Sequence, residues 1–329
     1  MKKEHWIDVL KGIGILSVVV AHVYEGPIRI AIYAFHMPLF FFLSGYLFKP
    51  KSLYPFFFDK TLHLLVPYVS FLLLFYFPFT PLPDSSFKQI SSYLMRPVLG
   101  GTWLWGYCAV FWFVTCLFLV QQIVNLLLVK FSIRLVSLIA FGMLCLGYAN
   151  EWLSPSFRLP WNAHVVLMAL PIFYIGYLYK QYTPKIPLLL VCALSLLSLI
   201  SVLTINGLSY DMKFTKYGIP FISLAVSAVL TLFLQQISWK VSPMRLSKPF
   251  IELGNASMVL MYTHQPIQLI VRDYLTENPH IRCLFAVAIS YLLYRLFTYF
   301  AISRALLLGS KADFWKLCSR FSIKTKQTA

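Results

Sequence analysis

The sequence predicts an all-α, polytopic integral membrane bundle of about ten transmembrane helices, with both termini in the cytoplasm. Three observations carry this. Of the 329 residues, 59% are hydrophobic and only 12% charged, and the mean hydropathy is +0.74. A soluble globular chain carries about 25% charged residues, so this one could not clothe a single core in a wettable surface. The apolar residues gather into runs long enough to cross a bilayer, bounded by charges and prolines. The basic residues, 28 Lys and Arg against 11 Asp and Glu, are shared unequally between alternate loops. An aromatic content of 17% also excludes a disordered chain.

The ten runs cover roughly 7–24, 35–48, 62–80, 103–129, 134–150, 163–180, 186–205, 217–236, 251–272 and 281–303. The first follows Met1-Lys2-Lys3 and mimics a secretory signal, but no small-residue cleavage site follows Ala21, so it reads as an uncleaved span. The second is short and the fourth long, which fits tilt or a re-entrant piece. Prolines in Phe79-Thr80-Pro81-Leu82-Pro83 and Ser154-Pro155 mark two of the loops. Glu252 opens the ninth span as an interfacial anchor, and Asp59 precedes the third in the same role, beside Lys60. Arg295 falls inside the tenth, where it is expected to face the bundle interior and meet a carboxylate or an anionic ligand. No internal repeat and no soluble domain is visible.

With the N-terminus cytoplasmic, nineteen of the basic residues fall on the cytoplasmic side, eight on the opposite side and one, Arg295, within a span. That division follows the positive-inside rule and accounts for most of the net charge of +17. The six cysteines show neither C-x-x-C spacing nor a metal-ligand rhythm and receive no function. No glycine-rich nucleotide loop, metal cluster or G-x-S-x-G elbow appears.

The first span concentrates the polar chemistry. On a helix, Asp8 lies about 60° and His22 about 20° around the axis from Lys11, so all three share one face. Lys11 and His22 are about 16 Å apart along that axis. Asp8 and Lys11 suffice for an interfacial ion pair, whereas His22 is a side chain suited to moving protons near neutral pH. Gly12 and Gly14 leave room for another helix or a ligand.

The stretch from Ile7-Asp8-Val9-Leu10-Lys11-Gly12 to His22 resembles the opening of the membrane acyltransferase-3 family, whose marker is a basic residue, ten arbitrary residues and a histidine. Phe35-His36-Met37-Pro38-Leu39-Phe40-Phe41-Phe42-Leu43-Ser44-Gly45 is similar to that family's next span, in the form found in its fucose O-acetylase-like branch. Leu64-Leu65-Val66-Pro67-Tyr68, Phe111-Trp112-Phe113-Val114, Pro171-Ile172-Phe173-Tyr174 and Leu253-Gly254-Asn255 to Tyr262-Thr263-His264 resemble later elements in the expected order. The chain departs from the family where Lys60-Thr61-Leu62-His63 stands in place of arginines; lysine keeps the charge and loses the bidentate fork for phosphate.

The resemblance implies a transmembrane acyltransferase domain over residues 1–310, followed by a basic cytoplasmic tail, 311–329, set against anionic lipid. It implies transfer of an acyl group, usually acetyl, from cytoplasmic acyl-CoA to a hydroxyl of an envelope glycan or lipid-linked sugar at the plasma (inner) membrane. His22 is then the general base or a transient acyl carrier, and His36 orients the acceptor or stabilises the oxyanion. Lys11 and Lys60 meet the phosphates of acetyl-CoA, with no metal required. Asp8, Ser44, Trp112, His264 and Arg295 are supporting candidates, although close helix packing accounts for Ser44 and Gly45, a helix-end role for His264 and an interfacial belt for Trp112. Partners are acyl-CoA, a glycan or lipid-linked sugar and membrane lipids, with no nucleic acid and with homo-oligomerisation left open. A transporter or flippase of a glycan-linked or anionic substrate is the competing class, and a non-catalytic sensor a third. The absence of repeats weighs against transport.

Overall fold

The computed structural model describes residues 4–82, 86–154, 156–182, 186–208 and 210–327, with side chains described as far as Ser319. Lys2, Lys3, Pro83, Pro155 and Lys185 lie outside the described residues, and Arg320, Lys324 and Lys326 outside the described side chains. In chain order the helices are α1 (His5–Val23), α2 (Pro27–Tyr33), α3 (His36–Tyr46), α4 (Leu53–Lys60), α5 (Val66–Phe79), α6 (Phe87–Leu99), α7 (Trp112–Lys130) and α8 (Ile133–Leu153). They continue with α9 (Val166–Tyr182), α10 (Leu188–Thr204), α11 (Ile222–Val241), α12 (Lys248–Asn255), α13 (Ser257–Tyr274), α14 (Pro279–Tyr299), α15 (Ala301–Leu306) and α16 (Lys311–Gln327). Among the described residues there is no strand beyond one bridge between Asp211 and Lys216.

Eight segments of the described residues are long and apolar enough to cross a membrane. The other two expected spans are α10, one short apolar helix of 17 residues, and α13, diluted by Thr263, His264, Gln265, Gln268, Arg272 and Asp273. Several boundaries move. The second span begins at Pro27 rather than near residue 35, because α2 and α3 run on as one 20-residue segment. The third begins at Leu53. The eighth begins at Ile222, since the residues before it fold inward and wholly bury Tyr210 and Tyr217. Helix α6 lies between the third and fourth expected spans; it is amphipathic, buries Tyr93 alone and is tied down by Tyr76 Oη, which donates to the Tyr93 carbonyl at 2.8 Å.

Lipid gives helices little hydrophobic reason to associate, so small residues that admit close backbone contact decide where they cross. Two crossings use reciprocal glycines. Gly45 of α3 faces the Phe173 carbonyl of α9, and Gly176 of α9 faces the Phe42 carbonyl of α3. Gly12 of α1 faces the Phe250 carbonyl of α12, and Gly254 of α12 faces the Asp8 carbonyl. At all four positions a Cβ would overlap backbone atoms. Between these crossings lies an aromatic core in which Phe71 stacks on Tyr262 at 4.5 Å and Phe111 meets that ring edge-on at 4.9 Å.

Helix α4 continues into α5 through a wider turn, Thr61–Leu65, closed by an i→i+5 bond from Val66 N–H to the Thr61 carbonyl. Such π-turns cluster at functional sites. This one separates Lys60 from the apolar α5 and turns Lys60, His63 and Leu64 toward the same interior space.

Candidate active site

That space is a cavity of about 870 Å³ within the bundle. One end, the basic mouth, is lined by Lys11, Lys49, Lys51, Asp59, Lys60, His63 and Lys311. The other, the aromatic mouth, is lined by Arg29, Tyr33, Trp105, Asp211, Lys213 and Phe214. Between them stand His22, His36 and His264, with Phe40, Ser44, Trp112 and Phe113 on the wall.

Helix α1 supplies both ends of the motif read in the sequence. Lys11 opens on the basic mouth and His22, three turns further on, on the centre. Asp8 does not line the cavity. It is 7% exposed, and its Oδ1 lies 3.9 Å from Lys11 Nζ, so it acts on Lys11 rather than on a ligand.

The three central histidines share one local device. Nδ1 of His22 bonds the Val18 carbonyl at 2.8 Å, that of His36 the Ile32 carbonyl at 3.0 Å, and that of His264 the Leu260 carbonyl at 2.6 Å. A carbonyl only accepts, so each Nδ1 must carry the proton and each neutral ring keeps its lone pair on Nε2. His264 Nε2 is buried with no hydrogen-bond partner. Its ring meets the His22 ring edge-on, centroids 5.2 Å apart. His36 is 2% exposed, and both His36 and His264 lie within electrostatic reach of His22. Such an arrangement can accept protons at three points on the wall of one cavity.

At the aromatic mouth the inward fold before α11 carries Lys213, one of the eight basic residues that the charge division assigns to the non-cytoplasmic side. Lys213 is buried, its Nζ donates to the carbonyls of Leu104 at 2.9 Å and Ala109 at 2.8 Å, and it lies 5.3 Å from the Trp105 ring centroid. Burial pushes its ammonium down to about 8, against the pull of Asp211, whose own carboxyl burial pushes up. The signal was present in Tyr210-Asp211-Met212-Lys213-Phe214, opposite charges spaced between bulky apolar residues. Arg29 lies over the Tyr33 ring at 5.0 Å. His63, Lys49, Lys51 and Lys311 were likewise missed as wall residues, because nothing local distinguishes a mouth lysine from a topogenic one.

Of the supporting candidates, Ser44 and Trp112 line the cavity, and the neighbouring Gly45 makes the α3–α9 crossing. Arg295 corrects an expectation. It does not face the bundle interior but lies exposed on the outer face of α14, bonded to Tyr291 Oη at 3.3 Å. Tyr291 in turn donates to Glu252 at 3.0 Å. Helix α14 buries only Ala286 and Ser290, so its polar residues pair with one another along the rim, where a long side chain can extend out of the apolar layer.

No curated protein and no solved structure matches the chain. A family model described as an acyltransferase domain, acyltransferase-3, matches residues 4–304, nearly the whole of the bundle and every one of the central histidines. The chain therefore belongs to the acyltransferase-3 family and is a multi-pass membrane acyltransferase.

Proposed function

We infer that this acyltransferase takes an acyl group, in the first instance acetyl, from cytoplasmic acyl-CoA and transfers it to a hydroxyl of a cell-envelope glycan or lipid-linked sugar. The carrying observation is a single cavity lined by the lysines of the basic mouth, the aromatic rings of the other and His22. The phosphates of the donor suit the basic mouth, held there by Lys11 and Lys60. A sugar suits the aromatic mouth, against Trp105 and Phe214. Both termini and the basic mouth would then be cytoplasmic, in keeping with the charge division between loops.

In the transfer step the acceptor oxygen attacks the thioester carbonyl carbon while its proton passes to His22 Nε2. The tetrahedral intermediate collapses with cleavage of the C–S bond, and the proton goes on to the departing thiolate. With Nδ1–H already donated to Ile32, neutral His36 can accept a hydrogen bond from the acceptor hydroxyl but has no N–H for an oxyanion. That favours the orienting role for His36 over the oxyanion role. His264, edge-on to His22, stabilises the imidazolium that forms there.

The test is acetyl incorporation from labelled acetyl-CoA into envelope glycans, with the native chain and His22→Ala at matched abundance. Equal incorporation would remove His22 from the chemistry. The same cavity also fits passage of a glycan-linked or anionic substrate. Substrate crossing with no acyl transfer in either protein would establish that second reading.

A further inference from the structure

The basic mouth holds a second pair of lysines, each set in place by structure that the transfer chemistry does not require. Lys51 follows α3, and buried Asn125 of α7 clamps its backbone on both sides. Asn125 Nδ2 donates to the Lys51 carbonyl at 2.9 Å, and its Oδ1 accepts the Lys51 N–H at 3.0 Å. Lys311 opens α16, beyond residue 304 where the family match ends. The turn that presents it is anchored three times. Arg304 forks onto Asp313 with two bonds of 2.9 Å, Ser310 Oγ donates to Asp313 Oδ2 at 2.7 Å, and Gly309 packs on the His63 backbone. Gly309 has φ +63°, and a Cβ there would stand 2.7 Å from the His63 carbonyl oxygen, so only glycine fits this seat.

The two ammonium groups converge on one carboxylate. Asp59 accepts from Lys51 Nζ at 3.4 Å through Oδ2 and from Lys311 Nζ through Oδ1. Among the described residues that line this mouth, Asp59 is the one acid beside five lysines. Both lysine side chains are more than half exposed, at 57% and 55%. Pairs so exposed contribute little to stability and exchange readily for a better anion. A phosphate brings more charge and more acceptor oxygens than a carboxylate.

We propose that Lys51 and Lys311 form a phosphate-binding site for the nucleotide end of the acyl donor, and that Asp59 holds the two ammonium groups together until those phosphates displace it. The site rests on the reading of acyl-CoA as donor, and it makes the segment after the family domain part of the donor site. Lys51 and Lys311, the more exposed pair, take the outermost phosphate, and Lys11 and Lys60 those nearer the thioester.

The test is calorimetric titration of CoA into the full chain in zwitterionic detergent, beside the KM for acetyl-CoA. Lys51→Gln and Lys311→Gln should each weaken CoA binding about three- to tenfold, more so at low salt. Asp59→Asn should tighten it about two- to fivefold, a direction that a purely structural Asp59 would not give. For all three the effect is read in the CoA affinity and in the KM for acetyl-CoA, which should move in the same direction. If the native chain binds CoA and Lys11→Glu weakens it, while the three variants bind as the native chain does, the donor reading stands and this site is refuted. If the native chain binds no CoA, both fall together. Variants that change only the phosphatidylglycerol retained on purification would make the cluster a lipid site and overturn the proposal.

Discussion

Replacing His22 with glutamine removes one basic atom from the centre of the cavity. Its Nδ1–H is committed to Val18, so Nε2 is the only position on the ring able to take a proton. A positioned general base contributes about 10²- to 10⁴-fold, or about 2.7–5.4 kcal/mol at 1.36 kcal/mol per decade. The structure places the loss in the lower half of that range. His264 stands 5.2 Å away with its Nε2 unpartnered and takes over part of the proton transfer. His22→Gln should therefore lower kcat about 10²- to 10³-fold, and His22→Gln with His264→Gln about 10⁴-fold. The KM for acetyl-CoA should change by less than about twofold, since Lys11, the residue of the same helix proposed for the donor, lies about 16 Å away along the axis. The assay is transfer from labelled acetyl-CoA in membranes, normalised to protein abundance. A single variant as active as the native chain refutes the base assignment. A raised KM with unchanged kcat would make His22 a donor-binding residue instead.

Three further outcomes are expected. Lys11→Glu should raise the KM for acetyl-CoA about tenfold at low ionic strength, with the difference shrinking as salt is added; a salt-independent KM equal to that of the native chain removes Lys11 from the donor site. Gly45→Val forces a side chain into the Phe173 carbonyl and should destabilise the bundle by about 3 kcal/mol or more, seen as a fall in thermal midpoint. An unchanged midpoint would mean that α3 and α9 are not locked by that crossing. Lys213 supplies the pH dependence. Its folded-state value of about 8 lies below the 10.5 of a free lysine, so between those values the unfolded chain binds more protons and the stability contributed by Lys213 rises with pH. The midpoint of the native chain relative to Lys213→Met should climb between about pH 8 and 10. Labelling of the buried thiols Cys108 and Cys116 reports it, and a flat or falling difference refutes the burial argument.

The bundle was legible because membrane helices announce themselves by length and apolarity, and the order of spans follows directly from that. What the sequence concealed were departures from regularity. Tyr217–Phe221 looked like the start of a span because Tyr217, Ile219 and Phe221 extend the apolar run of α11, and α6 lies between two expected spans without an unbroken apolar run of its own. Within the site, Lys11 and His22 were readable from helical phase, since one helix carries both. His264 could be nominated but not paired, because its contact with His22 is tertiary. Arg295 misled for a related reason: periodicity places a charge within a span but says nothing of which face the bundle leaves outside.

The three central histidines show how a membrane helix turns a constraint into chemistry. An imidazole in an apolar helix has two nitrogens and no water to satisfy them, so one must find a partner nearby. The carbonyl four residues earlier is always within reach, and each of His22, His36 and His264 uses it. The bond satisfies the donor, holds the ring against its own helix and selects the tautomer, all without a residue from elsewhere in the chain. The remaining lone pair then has a fixed position and direction. His22, His36 and His264, from α1, α3 and α13, line one cavity, and the reciprocal glycines fix the crossings of α1 on α12 and of α3 on α9. The orientation of each imidazole is therefore set by its own turn of helix, and the placing of the helices by the crossings. A bulky side chain at Gly12 or Gly45 should for that reason cost activity even in molecules that still fold.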